Sequence, residues 1–312
     1  MTTVLITGAA GFIGRHAARH FADSGMTVIG VGHGNWTPAQ AGEWGIGEWH
    51  AGDIDGETLR RASAGKAAPQ LILHLAGGAS VGSAIAEPMQ DFQRTVVATA
   101  ALLDWARLEA PEARVVAVSS AAVYGAGLVG AIPEDRAGTP YSPYGFHKLM
   151  MEQLCRSHAS NYGLRVAIVR LFSVYGAGLQ KQLLWDLNRK LALGVSEILL
   201  DGTGDELRDW TDVRDVVRVF SLASKIADER APAFNAGTGR ATSVRDIAEL
   251  VCAAWGKGRS LRFSGRGRAG DPFSLVADSS TLNALEFEWN IPVRQGIADY
   301  VSWFRAGAGD SA

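Results

Sequence analysis

Ser119 and Ser120 close the apolar run "RVVAVSS", and some two dozen residues later a tyrosine and a lysine stand four apart, Tyr144 and Lys148. Ser142-Pro143 just before the tyrosine reads as a helix N-cap followed by proline at the first helical position. The spacing therefore predicts a helix whose first two turns present Tyr144 and Lys148 on one face. A free phenol titrates near about 10, and an adjacent ammonium favours its ionised form. This is how a tyrosine becomes an acid/base near neutral pH. Ser120, at the C-terminal end of a buried strand, is placed to hydrogen-bond the same substrate oxygen.

A second motif stands at the N-terminal end of the sequence. The run "VLIT" leads into Gly8-Ala-Ala-Gly11-Phe-Ile-Gly14, which opens an amphipathic stretch. Glycines at a strand-to-helix turn let the backbone approach a pyrophosphate, whose charge then rests on the helix N-terminal amides. An oxidised nicotinamide ring beside Tyr144 would add to the pull of Lys148 on the phenol proton. The second strand ends in "VIGVGHGNW", with Gly32 and His33 where NAD-binding turns carry an acid for the ribose 2′-hydroxyl. That omission favours NADP over NAD, with His33 and Asn35 as weak 2′-end candidates. In "AGDID", Asp53 and Ile54 fall at the end of the next strand, within reach of an adenine edge.

These residues need a scaffold. Short runs that are apolar on successive residues, at 4–7, 27–31, 71–76, 114–120 and 165–172, read as strands buried on both faces. Amphipathic stretches at 12–24, 89–109 and 143–162 alternate with them, so the expected fold is α/β, a doubly wound parallel (Rossmann) sheet. From about residue 176 the pattern changes to helical segments at 180–194, 213–225 and 243–256, separated by loops rich in Gly, Arg and Asp. We expect a dinucleotide-binding domain over 1–175, with a return segment near 213–240 that includes a strand in "PAFNAG", and a smaller substrate domain over 176–312.

With 312 residues, 47% of them hydrophobic, and a formal net charge of −2, the chain can build a large core, and the absence of a long basic run argues against a nucleic-acid surface or a polybasic membrane anchor. Its two cysteines, Cys155 and Cys252, give neither a disulfide framework nor metal-ligand spacing, as expected in the cytoplasm. The N-terminal apolar run is too short to span a bilayer.

Together, "TGAAGFIG", "GDI", "HLAG", "SSAAVYG", "SPYGFHK", "VRLFSVYGAG", "RDWTDVRD", "FNAGTG" and the late "GD…VADSSTLN" make the chain resemble the extended short-chain dehydrogenase/reductase family, and within it the nucleotide-sugar epimerases, dehydratases and 4-ketoreductases. The resemblance implies Ser120, Tyr144 and Lys148 as the catalytic group, with Tyr144 moving a hydroxyl proton and Lys148 holding the cofactor ribose. It implies cofactor contacts from Phe12 and Ile13 of the glycine turn and from Leu75, Ala76 and Gly77 of "HLAG". Arg208 and Arg268 match positions that bind the nucleotide diphosphate, and guanidinium forks suit paired phosphate oxygens. Ala79 or Ser80, and Ser173, stand where UDP-galactose 4-epimerases carry a lysine and an asparagine, a departure that disfavours the standard form of that epimerase. The structural asparagine of the family's Asn-Val-x-Gly-Thr is replaced in Thr95-Val-Val-Ala-Thr99. Ala121 and Ala122 replace the acid/base pair of dehydratases, which disfavours loss of water. Relatives pair two helices in a dimer interface, so a homodimer is expected. His74 and His147 flank the site in sequence and read as hydrogen-bonded residues without a catalytic role.

The activity implied is oxidation and re-reduction of a nucleoside-diphosphate sugar at C4, that is, epimerisation. One-way reduction of a 4-keto sugar nucleotide by NADPH is the alternative, and a silent dinucleotide-sensing module is a reading from another class.

Overall fold

The computed structural model describes residues 2–136, 138–195, 197–256, 260–266 and 272–308. The chain divides into two compact units. The first comprises residues 1–125, 136–171 and 217–234, and the second 126–135, 172–216 and 235–312.

A seven-stranded sheet organises the first unit. Its strands are β1 (Thr3–Thr7), β2 (Thr27–Gly32), β3 (Glu48–Ala51), β4 (Leu71–His74), β5 (Arg114–Ser120), β6 (Arg165–Leu171) and β7 (Ala233–Ala236), in the order β7-β6-β5-β4-β1-β2-β3. The pairs from β3 across to β6 are parallel. Leu5, Ile6, Ile72, Leu73, Val115, Val116 and Val166 are fully buried, because helices cover both faces of the sheet. The strand order reverses between β1 and β4, and the crevice at that reversal is where open α/β sheets take ligands. Strand β7 lies in "PAFNAG" and joins the sheet beside β6, as the sequence led us to expect.

The helices that matter to the site are α1 (Phe12–Asp23), α2 (Gly56–Ser63), α3 (Pro88–Phe92), α4 (Ala98–Glu109) and α5 (Pro143–Tyr162). Met151, Cys155 and Ala159, spaced four apart along α5, pack with Leu102 and Ala106 of α4 and with Ile72 and Val115 of the sheet. The helix expected over 89–109 is not uniform. A π-helical turn, Gln93–Val97, separates α3 from α4. There the Thr99 hydroxyl donates to the Thr95 carbonyl at 2.5 Å, and the Thr95 hydroxyl accepts from the Gly78 amide at 2.8 Å. Side-chain hydroxyls thus supply hydrogen bonds where the regular ladder widens.

The second unit contains a sheet in the order 241–243, 207–212, 274–277, 131–132, with 173–175 also paired to 207–212. Strands Glu197–Leu200 and Ser260–Phe263 form a separate parallel pair. Its helices include Gln182–Ala192, Val244–Trp255 and Val293–Trp303. Among the described residues no helix is long and apolar enough to cross a membrane.

Candidate active site

Strand β5 delivers Ser120 as its last residue, and the chain then turns through a 3-10 segment, Ala121–Tyr124, with the Ser120 hydroxyl accepting from the Ala122 amide at 3.2 Å. Helix α5 begins as the sequence predicts. The Ser142 side chain accepts from the Gly145 amide at 3.3 Å and Pro143 occupies the first turn. This start places Tyr144 close enough to Ser120 for the serine hydroxyl to act on its phenol. One turn on, Lys148 is buried and its Nζ donates to the Val118 carbonyl at 2.9 Å.

The charges at this site differ from the sequence expectation. Burial pushes the Tyr144 phenol up, the neighbouring Ser120 hydroxyl opposes this, and the Asp91 carboxylate adds to the rise. Burial also brings Lys148 down to about 8, against the pull of Asp91 and Glu152. The charge that acts on Tyr144 in the protein alone is therefore an anion, contributed by a residue to which the sequence reading gave no role. On its own, Tyr144 is arranged to hold its proton.

The glycine turn has the form a dinucleotide needs. Gly8 has a φ of +71°, its amide donates to the Val31 carbonyl at 2.7 Å, and a β-carbon there would lie 2.9 Å from the Ala76 amide nitrogen. Only glycine meets both conditions without strain. Gly11 is the N-cap of α1 and has no side-chain cap, so the first amides of a 12-residue helix are open to an anion. Gly14 is buried, while Phe12 and Ile13 are half-buried on the first turn. Lys148 offers three donors and has the Val118 carbonyl as its hydrogen-bond acceptor among the described residues, which suits it to hold a ribose. The residues present fit a nicotinamide dinucleotide.

The fold brings His33 and Asp53 together, with Nε2 2.6 Å from Oδ1; both are exposed. Strand β3 stops at Ala51, so Asp53 and the buried Ile54 follow it in a loop. Sequence reasoning missed Arg15. Its guanidinium donates to the Ala10 carbonyl at 3.1 Å and lies 5.9 Å from the Trp36 ring and 5.4 Å from the Trp44 ring. The signal was its place four residues after Gly11 on the first turn of α1, where an arginine side chain reaches back over the turn.

Leu75, Ala76 and Gly77 follow β4 and are half-buried beside the glycine turn. His74, just before them, is held on both ring nitrogens: Nδ1 lies 2.7 Å from the Thr7 hydroxyl and Nε2 2.9 Å from the Thr99 hydroxyl. Thr99 already donates its proton to Thr95, so it accepts from His74 Nε2–H. Thr7 in turn donates to Nδ1 and accepts from the Ala76 amide at 3.2 Å. Burial, with Lys148 nearby, lowers His74 to about 3. It is a neutral clamp on the 75–78 loop.

The expected substrate residues are divided between the units. Ser80 is in the first, where its hydroxyl caps the helix Val81–Ala86 by accepting from the Ser83 amide at 3.2 Å. Ser173 and Arg208 are in the second, paired into its sheet through strands 173–175 and 207–212. The Arg208 guanidinium donates to the Leu207 and Phe273 carbonyls at 2.9 and 3.3 Å. The aspartates near it in sequence are engaged elsewhere, Asp209 by Thr238 and Gly239 and Asp212 by Arg214. Arg268 lies outside the described residues.

Fold and site together define a Rossmann enzyme of the extended short-chain dehydrogenase/reductase group. The chain belongs to the NAD dependent epimerase/dehydratase family, whose model matches residues 4–237. A UDP-glucose 4-epimerase of Streptomyces lividans is 31% identical over 310 residues, covering 94% of this chain and 92% of that one. Another from Halalkalibacterium halodurans is 28% identical over 300 residues, covering 90% and 89%. Among solved structures, MoeE5 in complex with UDP-glucuronic acid and NAD superposes with a TM-score of 0.86 at 31% identity, over 98% of this chain and 99% of that one. The UDP-glucose 4-epimerase of Thermotoga maritima with UDP-glucose gives a TM-score of 0.87 at 26% identity, over 98% and 100%.

Proposed function

We propose that this protein interconverts the C4 epimers of a nucleoside-diphosphate sugar, with UDP as the nucleotide and NAD as the resident cofactor. The observation that carries the reading is the Ser120, Tyr144 and Lys148 group, gathered at the C-terminal end of β5 and the start of α5, with the Lys148 ammonium bound to the Val118 carbonyl of β5. NAD bound at the glycine turn supplies a hydride acceptor that also returns the hydride. Tyr144 takes the C4 hydroxyl proton and gives it back, and Ser120 holds the same oxygen. Lys148 donates to the cofactor ribose and keeps a positive charge near the phenol as it ionises. Ala121 and Ala122 bring no second acid/base, so the proton has one station and water is retained.

We take NAD over the NADP that the sequence favoured because the Asp53 carboxylate stands 2.6 Å from His33 and so places an anion beside the residue that ends the β2 turn. The NAD in the MoeE5 complex supports the same choice. The second reading, reduction of a 4-keto sugar nucleotide by NADPH, draws on Arg15, a fixed cation on the glycine turn.

A homodimer forms, in this reading, through the outer faces of α3 to α5. There Met89, Val97, Phe146 and Met150 are exposed apolar side chains. The two cysteines form no disulfide, in keeping with a cytoplasmic site.

The test is a product assay with UDP-sugars and 4-keto sugar nucleotides that follows both sugar identity and reduced nicotinamide. A changed sugar with no net consumption of cofactor supports the epimerase. Stoichiometric NADPH consumption on a 4-keto substrate supports the reductase. Tyr144→Phe is expected to lower turnover about 10²- to 10⁴-fold with the fold intact, and unaltered turnover would remove the mechanism.

A further inference from the structure

Asp91 belongs to the short helix α3 and is buried, and its Oδ2 accepts from His147 Nδ1 at 2.5 Å. His147 is three residues after Tyr144 and one before Lys148, so the bond brings Asp91 to the helical turn that carries both. Consecutive glycines reach the two charges. A β-carbon at Gly77 would lie 3.2 Å from Lys148 Nζ, and one at Gly78 would lie 1.7 Å from Asp91 Oδ1. The Phe92 ring stands edge-on to the imidazole at 5.4 Å. The side chains of His147 and Asp91 are 12% and 4% exposed, so water screens this pair poorly.

We propose that Asp91 and His147 form a positioning pair that sets the negative charge felt by the Tyr144 phenol, the imidazole proton on Asp91 regulating how readily Tyr144 ionises. The proposal rests on the reading of Tyr144 as the acid/base. Asp91 acts to keep the proton on Tyr144. The bond from His147 draws part of the carboxylate charge away from the phenol. The ionisable groups around the pair are Tyr144 and Lys148 on α5, Glu152 one turn further along it and His74 on β4. The 77–80 loop and the helix Val81–Ala86 carry none, and Glu87 and Arg94, beside Asp91 in sequence, are exposed. On α4, Asp104 and Arg107 pair with each other.

The test is ultraviolet difference titration of tyrosinate, each protein against its own Tyr144→Phe counterpart, with and without NAD. Asp91→Asn is expected to move the Tyr144 transition to lower pH. His147→Val, which strips the donor from Asp91, is expected to move it to higher pH. Each shift should correspond to a change in proton affinity of about threefold to tenfold. His147→Asn restores a donor and should return the transition toward wild type, a rescue that a purely structural role would not produce. Transitions unmoved in the variants, or moved in the same direction by Asp91→Asn and His147→Val, overturn the proposal. Should Asp91→Asn fail to fold, the missing upward shift in the less buried His147→Val does so alone. The titration reads Tyr144 independently of turnover, so failure of the coupling and failure of the acid/base reading remain distinguishable.

Discussion

The Glu152 carboxylate on α5 grips the Arg170 guanidinium on β6 with two parallel hydrogen bonds of 2.9 and 2.8 Å. The Ser119 hydroxyl donates to Glu152 at 2.7 Å, and Arg170 donates to the Tyr124 hydroxyl at 2.8 Å. One buried ion pair thus ties the helix carrying Tyr144 and Lys148 to the strand beside β5 and to the turn that follows Ser120.

Removing one partner of such a pair leaves the other charge buried without compensation. Glu152→Gln is expected to cost about 3–5 kcal/mol of folding stability, read from urea unfolding at neutral pH. Burial alone would raise the Glu152 carboxyl, but Arg170, Ser119 and Arg156 together hold it below the usual range. Its contribution is therefore complete above the unfolded carboxylate range and is lost as pH falls through the lowered native value. The gap between wild type and Glu152→Gln should narrow in acid.

His74 gives a second acid dependence. Its native value of about 3 lies below the ordinary imidazole value of 6.5, so between these limits the unfolded chain binds a proton that the folded one refuses. Stability should fall as pH drops from 6.5 toward 3, by roughly 3–5 kcal/mol across the window. His74→Gln cannot titrate, and its stability curve should be flatter over that range.

Lys148 acts at the alkaline end. With a native value of about 8 against 10.5, the folded protein sheds a proton that the unfolded chain keeps, so wild-type stability should rise relative to Lys148→Met as pH increases from 8 to 10.5. Urea midpoints of the two proteins across that range measure the difference. A wild-type advantage that shrinks instead would contradict the burial of the ammonium.

Gly78 lies against the Asp91 carboxylate, and Gly78→Ala would put a β-carbon 1.7 Å from Oδ1. The carboxylate must move, at a cost of about 1–3 kcal/mol, and its bond to His147 should break. Thermal unfolding reads the first effect. The His147 ring resonances in an NMR spectrum read the second.

Much of the first unit was legible in the sequence because local pattern encodes it. Continuous apolar runs marked β1, β2, β4, β5 and β6, whereas β3, Glu48–Ala51, is only partly buried and carries no such run; Ser142-Pro143 placed the start of α5 at the residue where the structure has it. The break between α3 and α4 was not legible. It depends on Thr95 meeting the Gly78 amide, 17 residues away along the chain, and no helical periodicity reports such a contact.

By itself the sequence determined the glycine turn at residues 8–14 and the shared helical face of Tyr144 and Lys148, since both follow from residue type and spacing within a few positions. Only the tertiary structure decided the charges that act on them. His147 receives its carboxylate from Asp91, 56 positions away, Arg15 packs beside Trp36 and Trp44, and His33 meets Asp53 across 20 positions. The physical reason is that a side chain's charge state depends on what surrounds it and on how much water remains, and both are fixed by segments that come together only on folding.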